Sequence, residues 1–67
     1  MRWKSWGKED AAQITNCGGY SIHRTAKGWD CWRRLPHLKR IAIAIPQASE
    51  AQQVCERDAK QLEEAMI

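Results

Sequence analysis

The sequence predicts an α+β domain, an antiparallel sheet of three to five strands with one C-terminal helix packed on one face. Three observations predict it. Apolar and polar residues alternate with period two through residues 20–24, the run 29–33 resumes the extended pattern with a tryptophan on each face, and turn residues precede both runs. A β-branched set, Ile41, Ile43 and Ile45, lies between Pro36 and Pro46. Beyond Pro46 the apolar residues recur at spacings of three and four, the stripe of an amphipathic helix.

The chain begins with two short runs, residues 2–6 and 11–15, that read as edge strands joined through 7–10. Order is expected here because leaving Trp3 and Trp6 in water would forfeit roughly 1.5–3 kcal/mol for each. Asn16-Cys17-Gly18-Gly19 is turn chemistry. It introduces the run Tyr20-Ser21-Ile22-His23-Arg24, in which Tyr20 and Ile22 leave one face and Ser21 and His23 the other. Thr25-Ala26-Lys27-Gly28 follows as a tight turn in which Gly28 supplies a positive φ, so the run from Trp29 to Arg33 folds back as a hairpin. Trp29, Cys31 and Arg33 then share one face, with Asp30, Trp32 and Arg34 on the other.

Pro36 breaks the pattern because it has no N–H to give to a ladder. Residues 39–45 resume it as a further strand, with the three isoleucines expected on one face and Ala42 and Ala44 behind. After Pro46, Ser49-Glu50-Ala51-Gln52 has the form of a capping box, and a helix from about Glu50 to Ala65 is expected. Ala51, Val54, Cys55, Ala59, Leu62 and Met66 make the stripe that covers the isoleucine face.

Sixty-seven residues make one domain, 1–67, with a tryptophan-containing segment at 1–19, strands across 20–45 and the helix at 49–66. A chain this short buries only about 60% of its unfolded surface. With ten Val, Ile and Leu residues and no Phe, the four tryptophans must supply much of the core. Such a core is one that a homodimer or another partner helps to complete. The three cysteines are odd in number and widely spaced, which argues against a disulfide framework and for a reducing cytoplasm. The sequence has neither a long apolar run nor the apolar core of a signal peptide, so it is read as a soluble protein that makes no use of a membrane.

The net charge of +3 conceals a division. Nine Lys/Arg stand against three Asp/Glu up to Ile45, and two against five beyond it. A basic face for phosphates or an acidic protein surface is thereby set against an acidic helix. No Cys-x₂-Cys or comparable ligand spacing exists, so neither metal nor cofactor is expected. His23 and Cys31 fall on opposite faces, no nucleophile elbow or phosphate-binding glycine loop is present, and the chain is read as no enzyme. The residues singled out for partner binding are His23, Arg24, Lys27, Trp32, Arg33, Arg34, Lys39 and Arg40, because Trp and Arg dominate interface hot spots and suit stacking and phosphate contact. Whether Trp32 is exposed or covered by Trp3 or Trp6 decides how much of this set is available. An alternative contact set is the acidic helix face, Glu56, Glu63 and Glu64, which could imitate phosphates.

Two resemblances arise from these residues. The order strand, turn, strand, strand, helix, with KGWDCWRR in the second strand and PQASEAQQVCERDAKQLE in the helix, resembles the arm-binding N-terminal domains of tyrosine recombinases over residues 20–64. That likeness implies a three-stranded sheet entering the DNA major groove, with Arg24, Lys27, Arg33, Arg34, Lys39 and Arg40 as its basic surface. These 67 residues hold no catalytic domain, and they carry the tryptophan-rich segment in front.

Nearly the whole chain, through its opening tryptophan, GGYSI strand, glycine-tryptophan turn and SEAQQVCERDAK helix, is similar to small accessory proteins encoded by bacteriophages and prophages. Small phage proteins of this kind, anti-CRISPR proteins among them, disable a host machine by binding it. The resemblance implies a non-enzymatic inhibitor in the bacterial cytoplasm that occludes a nucleic-acid or subunit surface of a host protein or ribonucleoprotein complex. Direct binding of DNA or RNA through the basic sheet face is the alternative.

Overall fold

A computed structural model describes residues 2–7 and 11–65. Five strands, β1 (Trp3–Ser5), β2 (Ala12–Thr15), β3 (Tyr20–Thr25), β4 (Gly28–Arg33) and β5 (Lys39–Ile45), form one antiparallel meander in chain order, followed by the helix α1 (Ala48–Ala65). This is the α+β arrangement the sequence predicts, at its upper strand count. Met66, expected on the helix stripe, lies outside the described residues.

The alternation of the central hairpin holds. Tyr20 stands opposite Arg33, Ile22 opposite Cys31 and His23 opposite Asp30, so Tyr20, Ile22, Cys31 and Trp29 share the face that α1 covers. Ile22, Cys31, Ala51 and Cys55 are fully buried at its centre, with Ala48, Val54 and Ala59 of α1 packed against them. The S–H of Cys31 donates to the Ala51 carbonyl at 3.5 Å, while the bond to Cys31 and burial hold the Cys55 thiol above its ordinary pKa. Both cysteines act as small hydrophobes.

Gly28 has a φ of +138°, and a Cβ there would lie 2.7 Å from the Ile45 carbonyl oxygen. The glycine is therefore needed for conformation and for space.

The isoleucine stripe does not form as expected. Trp29 faces Ile45 and Cys31 faces Ala42, which sets three steps of β5 against two of β4, and the next step to Trp32 and Arg40 is irregular as well. Each extra residue reverses the side on which later residues emerge. Ile41 and Ile45 stay against the core, but Ile43 turns to the uncovered side and is 59% exposed. Ala44 takes a left-handed φ of 56° at this bulge, and its N–H leaves the ladder to donate to Oδ1 of Asp30 at 3.4 Å.

The helix also starts earlier than the capping box implies. Ala51 N–H donates to the Gln47 carbonyl at 3.0 Å, so Ser49 lies inside the first turn. The Gln52 amide, expected to reach back along the chain, donates instead to Gln13 Oε1 on β2.

The N-terminal segment is ordered within its described part. Trp3 pairs with Thr15 and packs half-buried against the core, its indole N–H without a hydrogen-bond partner among the described residues. Trp6 has the opposite parity to Trp3 and lies on the uncovered face. Thr15 is buried and locks the following turn, accepting the Tyr20 N–H at 3.2 Å and bonding the Cys17 sulfur at 3.4 Å. That bond, with a second from the Gly19 backbone, lowers the pKa of the exposed Cys17 thiol.

Candidate functional site

The uncovered face of the sheet gathers residues from three strands and from segments beside them. Ser21 and His23 come from β3, Asp30 and Trp32 from β4, Arg40 from β5, and Trp32 stands opposite both Ser21 and Arg40. Arg34 follows β4 and keeps its side there because its N–H extends the ladder to the Gly19 carbonyl at 2.7 Å.

Two aromatic and cationic stacks result. The Arg34 guanidinium lies 4.6 Å from the Trp6 ring centroid, and Trp6 meets the His23 ring edge-on at 5.4 Å and 64°. Beside this, the Arg40 guanidinium lies 5.7 Å from the Trp32 centroid. Both distances are within the reach of cation–π attraction, which holds the flexible arginines against flat surfaces. Ser21 Oγ and His23 Nε2 share a hydrogen bond of 3.1 Å, which tethers the imidazole to β3. Burial first, and the Arg34 charge second, lower the His23 pKa, so the ring is neutral at physiological pH.

Between the stacks is an open hollow of about 370 Å³, walled by His23, Trp32, Arg34 and Leu38. A second hollow of about 340 Å³ lies beyond Arg40, with Lys27, Asp30 and Ile43 among its walls. Arg40 stacks on a wall of the first and lines the second, so the two adjoin. Leu38 and Ile43, 62% and 59% exposed, add apolar surface at the rims.

Of the residues chosen from sequence for partner binding, His23, Trp32, Arg34 and Arg40 are brought together on this face, and Lys27 stands at the edge of the second hollow. Arg33 stands apart. It shares the helix-covered face with Tyr20, and its Nη1 forms a 3.2 Å ion pair with Oδ2 of Asp58 on α1. Arg24 is opposite Trp29 and so emerges on the helix side at the end of β3, and Lys39 opposite Arg33 opens β5; both are exposed. Glu56, Glu63 and Glu64 are exposed along α1, on the other side of the molecule.

The fate of Trp32 is now specific. It is half-buried, stacked by Arg40 and open to the hollow, while Trp6 covers His23 and Trp3 lies on the opposite face. No family model, curated protein or solved structure matches the chain. The site is therefore read from its own chemistry.

Sequence reasoning missed Trp6 and Leu38 as members of this site. The signal for Trp6 was the odd spacing of three from Trp3, which in an extended strand sends the two rings to opposite faces. Leu38 offered none, because its placement depends on the irregular connection from 34 to 38. No group of three or more His, Cys, Asp or Glu side chains that could hold a metal ion occurs among the described residues.

Proposed function

We propose that the chain is a non-enzymatic binding protein that works through the uncovered sheet face, occluding a nucleic-acid or subunit surface of a host defence complex. The observation that carries this reading is the convergence of Arg34, Arg40, Trp6, Trp32 and His23 around one open hollow. These side chains are held by one another and by the ladder, so little conformational entropy remains to be lost on binding. Trp and Arg are the types that dominate interface hot spots, and Leu38 and Ile43 supply the apolar rim that excludes water around them.

The assignment to a bacterial cytoplasm and to phage-encoded inhibitors rests on the likeness of nearly the whole chain to that class of small accessory protein. The test is expression of the tagged chain in a bacterial host with an active nucleic-acid-guided defence. The expected result is recovery of the defence complex with the tag and restored plating of phage. Plating that stays restricted, with no component of the complex recovered, overturns the reading.

A second reading, direct DNA binding by the basic sheet, is favoured by the two arginines stacked over aromatic rings on this face, Arg34 on Trp6 and Arg40 on Trp32. It predicts affinity for duplex DNA that falls steeply as salt rises. A chain that binds no duplex at about 50 mM salt is not a DNA-binding protein of the recombinase-arm kind.

A further inference from the structure

The chemistry of the two adjoining hollows narrows what the uncovered face can hold. Lys4, Lys27, Arg34 and Arg40 are cations of this face, and Asp30 is its one carboxylate among the described residues. That carboxylate is already engaged, at 4.0 Å from Arg40 and 3.4 Å from the Ala44 nitrogen. The cations of the face therefore outnumber its carboxylate, and the excess calls for an anionic occupant.

Charge alone would suit an acidic peptide as well as a phosphate chain. The walls decide between them. The first hollow offers the Trp32 ring and the neutral His23 ring, flanked by Arg34, and ends on Leu38. An acidic peptide would use Arg34 and leave the rings unfilled. A nucleobase fills such a space by stacking, and its phosphate meets the guanidinium, whose planar fork binds phosphate oxygens in pairs. Arg40 and Lys27 at the second hollow then stand where the following nucleotide would place its own phosphate and base. A duplex cannot use either hollow, because its bases are stacked on each other.

We propose that the uncovered face binds single-stranded nucleic acid, with one base against Trp32 in the first hollow and the strand continuing over Arg40 into the second. This rests on the uncovered face being the binding face, and it names the partner's chemistry: a single strand, free or exposed on a larger complex. Recognition is tolerant of sequence, since stacking and phosphate contact are open to every base.

The test is fluorescence anisotropy of a labelled single-stranded oligonucleotide of about 12 nucleotides. The same strand as a duplex, a mononucleotide and a polyglutamate peptide serve as competitors. The expected result is binding of the single strand with competition by neither mononucleotide nor polyglutamate at matched charge, and weaker binding of the duplex. Trp32→Ala should weaken binding about tenfold or more, and Trp32→Phe should retain most of it. Arg34→Ala with Arg40→Ala should flatten the salt dependence by about 0.7 in log–log slope for each phosphate no longer neutralised. Circular dichroism melting of each variant reports whether the fold is kept.

Equal affinity for duplex, or no binding of the single strand by the folded protein, overturns the proposal. If polyglutamate alone binds, and Trp32→Ala or the arginine variants abolish it, the nucleic-acid assignment falls while the face remains the binding face. If no ligand responds to any of these substitutions, both fall together.

Discussion

The Tyr20 hydroxyl donates to Oδ2 of Asp58 at 2.7 Å, and Arg33 Nη1 reaches the same oxygen at 3.2 Å. One helix carboxylate thus satisfies two sheet side chains at the edge of the core. Because the acceptor is charged and only partly exposed, losing it strands a phenol and a guanidinium. Asp58→Ala should lower stability by about 1–3 kcal/mol, measured by urea unfolding, while Arg57→Ala beside it should change little.

The same relationship makes a prediction at high pH. Burial first, then the bond to Asp58 and its charge, push the Tyr20 hydroxyl well above its ordinary value of about 10. A group whose pKa is raised by folding adds stability below its unfolded value, and that stability is lost as pH climbs toward the folded value. Tyr20 is the one tyrosine, so tyrosinate absorbance reports it alone. Ionisation should begin well above pH ~10 and coincide with alkaline unfolding. In Asp58→Asn it should move back toward the ordinary range.

The crossing of the β3–β4 turn with β5 gives a pair of opposite effects. Gly28→Ala places a methyl against the Ile45 carbonyl and forces a positive φ on alanine, so it should destabilise by about 1–3 kcal/mol. Ala44→Gly relieves a left-handed alanine at the adjoining bulge and should be neutral or stabilising by up to about 1 kcal/mol. Thermal melting of the two variants checks the signs.

His23 predicts an acid-side dependence. Its pKa is lowered by burial and by Arg34, so folding favours the neutral ring. The contribution is whole above the unfolded value of about 6.5 and is lost as pH falls through the lower folded value. The melting temperature of the parent should therefore drop below pH ~6.5 relative to His23→Gln, closing the gap between them. Equal pH profiles for the two proteins would show that His23 is not desolvated.

How far the sequence revealed these features depends on whether the chain kept its period. In β3 and β4 alternation is unbroken, and it correctly divides Tyr20, Ile22, Trp29 and Cys31 from His23, Trp32 and Arg34. In β5 two irregular steps shift the parity, and nothing in the run of isoleucines and alanines marks where an extra residue is accommodated. Ile43 leaves the core for that reason. Asp58 was hidden differently. It falls on the apolar stripe, three residues after Cys55, where a carboxylate looks misplaced until its two partners on the sheet are known.

The site was legible in part for the same reason. Parity placed its centre, but its cover came from Trp6 and its end wall from Leu38, both outside regular strands. The resting place of Arg33 also followed from parity, though counting every nearby cation as a binding residue overlooked it.

The central claim is that the uncovered sheet face carries the binding. It is tested most directly by comparing partner recovery for three tagged proteins: the parent, a variant with Trp32→Ala, Arg34→Ala and Arg40→Ala, and a variant with Glu56, Glu63 and Glu64 changed to Gln. The expected result is recovery by the parent and by the glutamine variant, and loss with the sheet-face variant at unchanged circular dichroism. Recovery that survives the three sheet-face substitutions, or that vanishes with the helix substitutions, contradicts the claim.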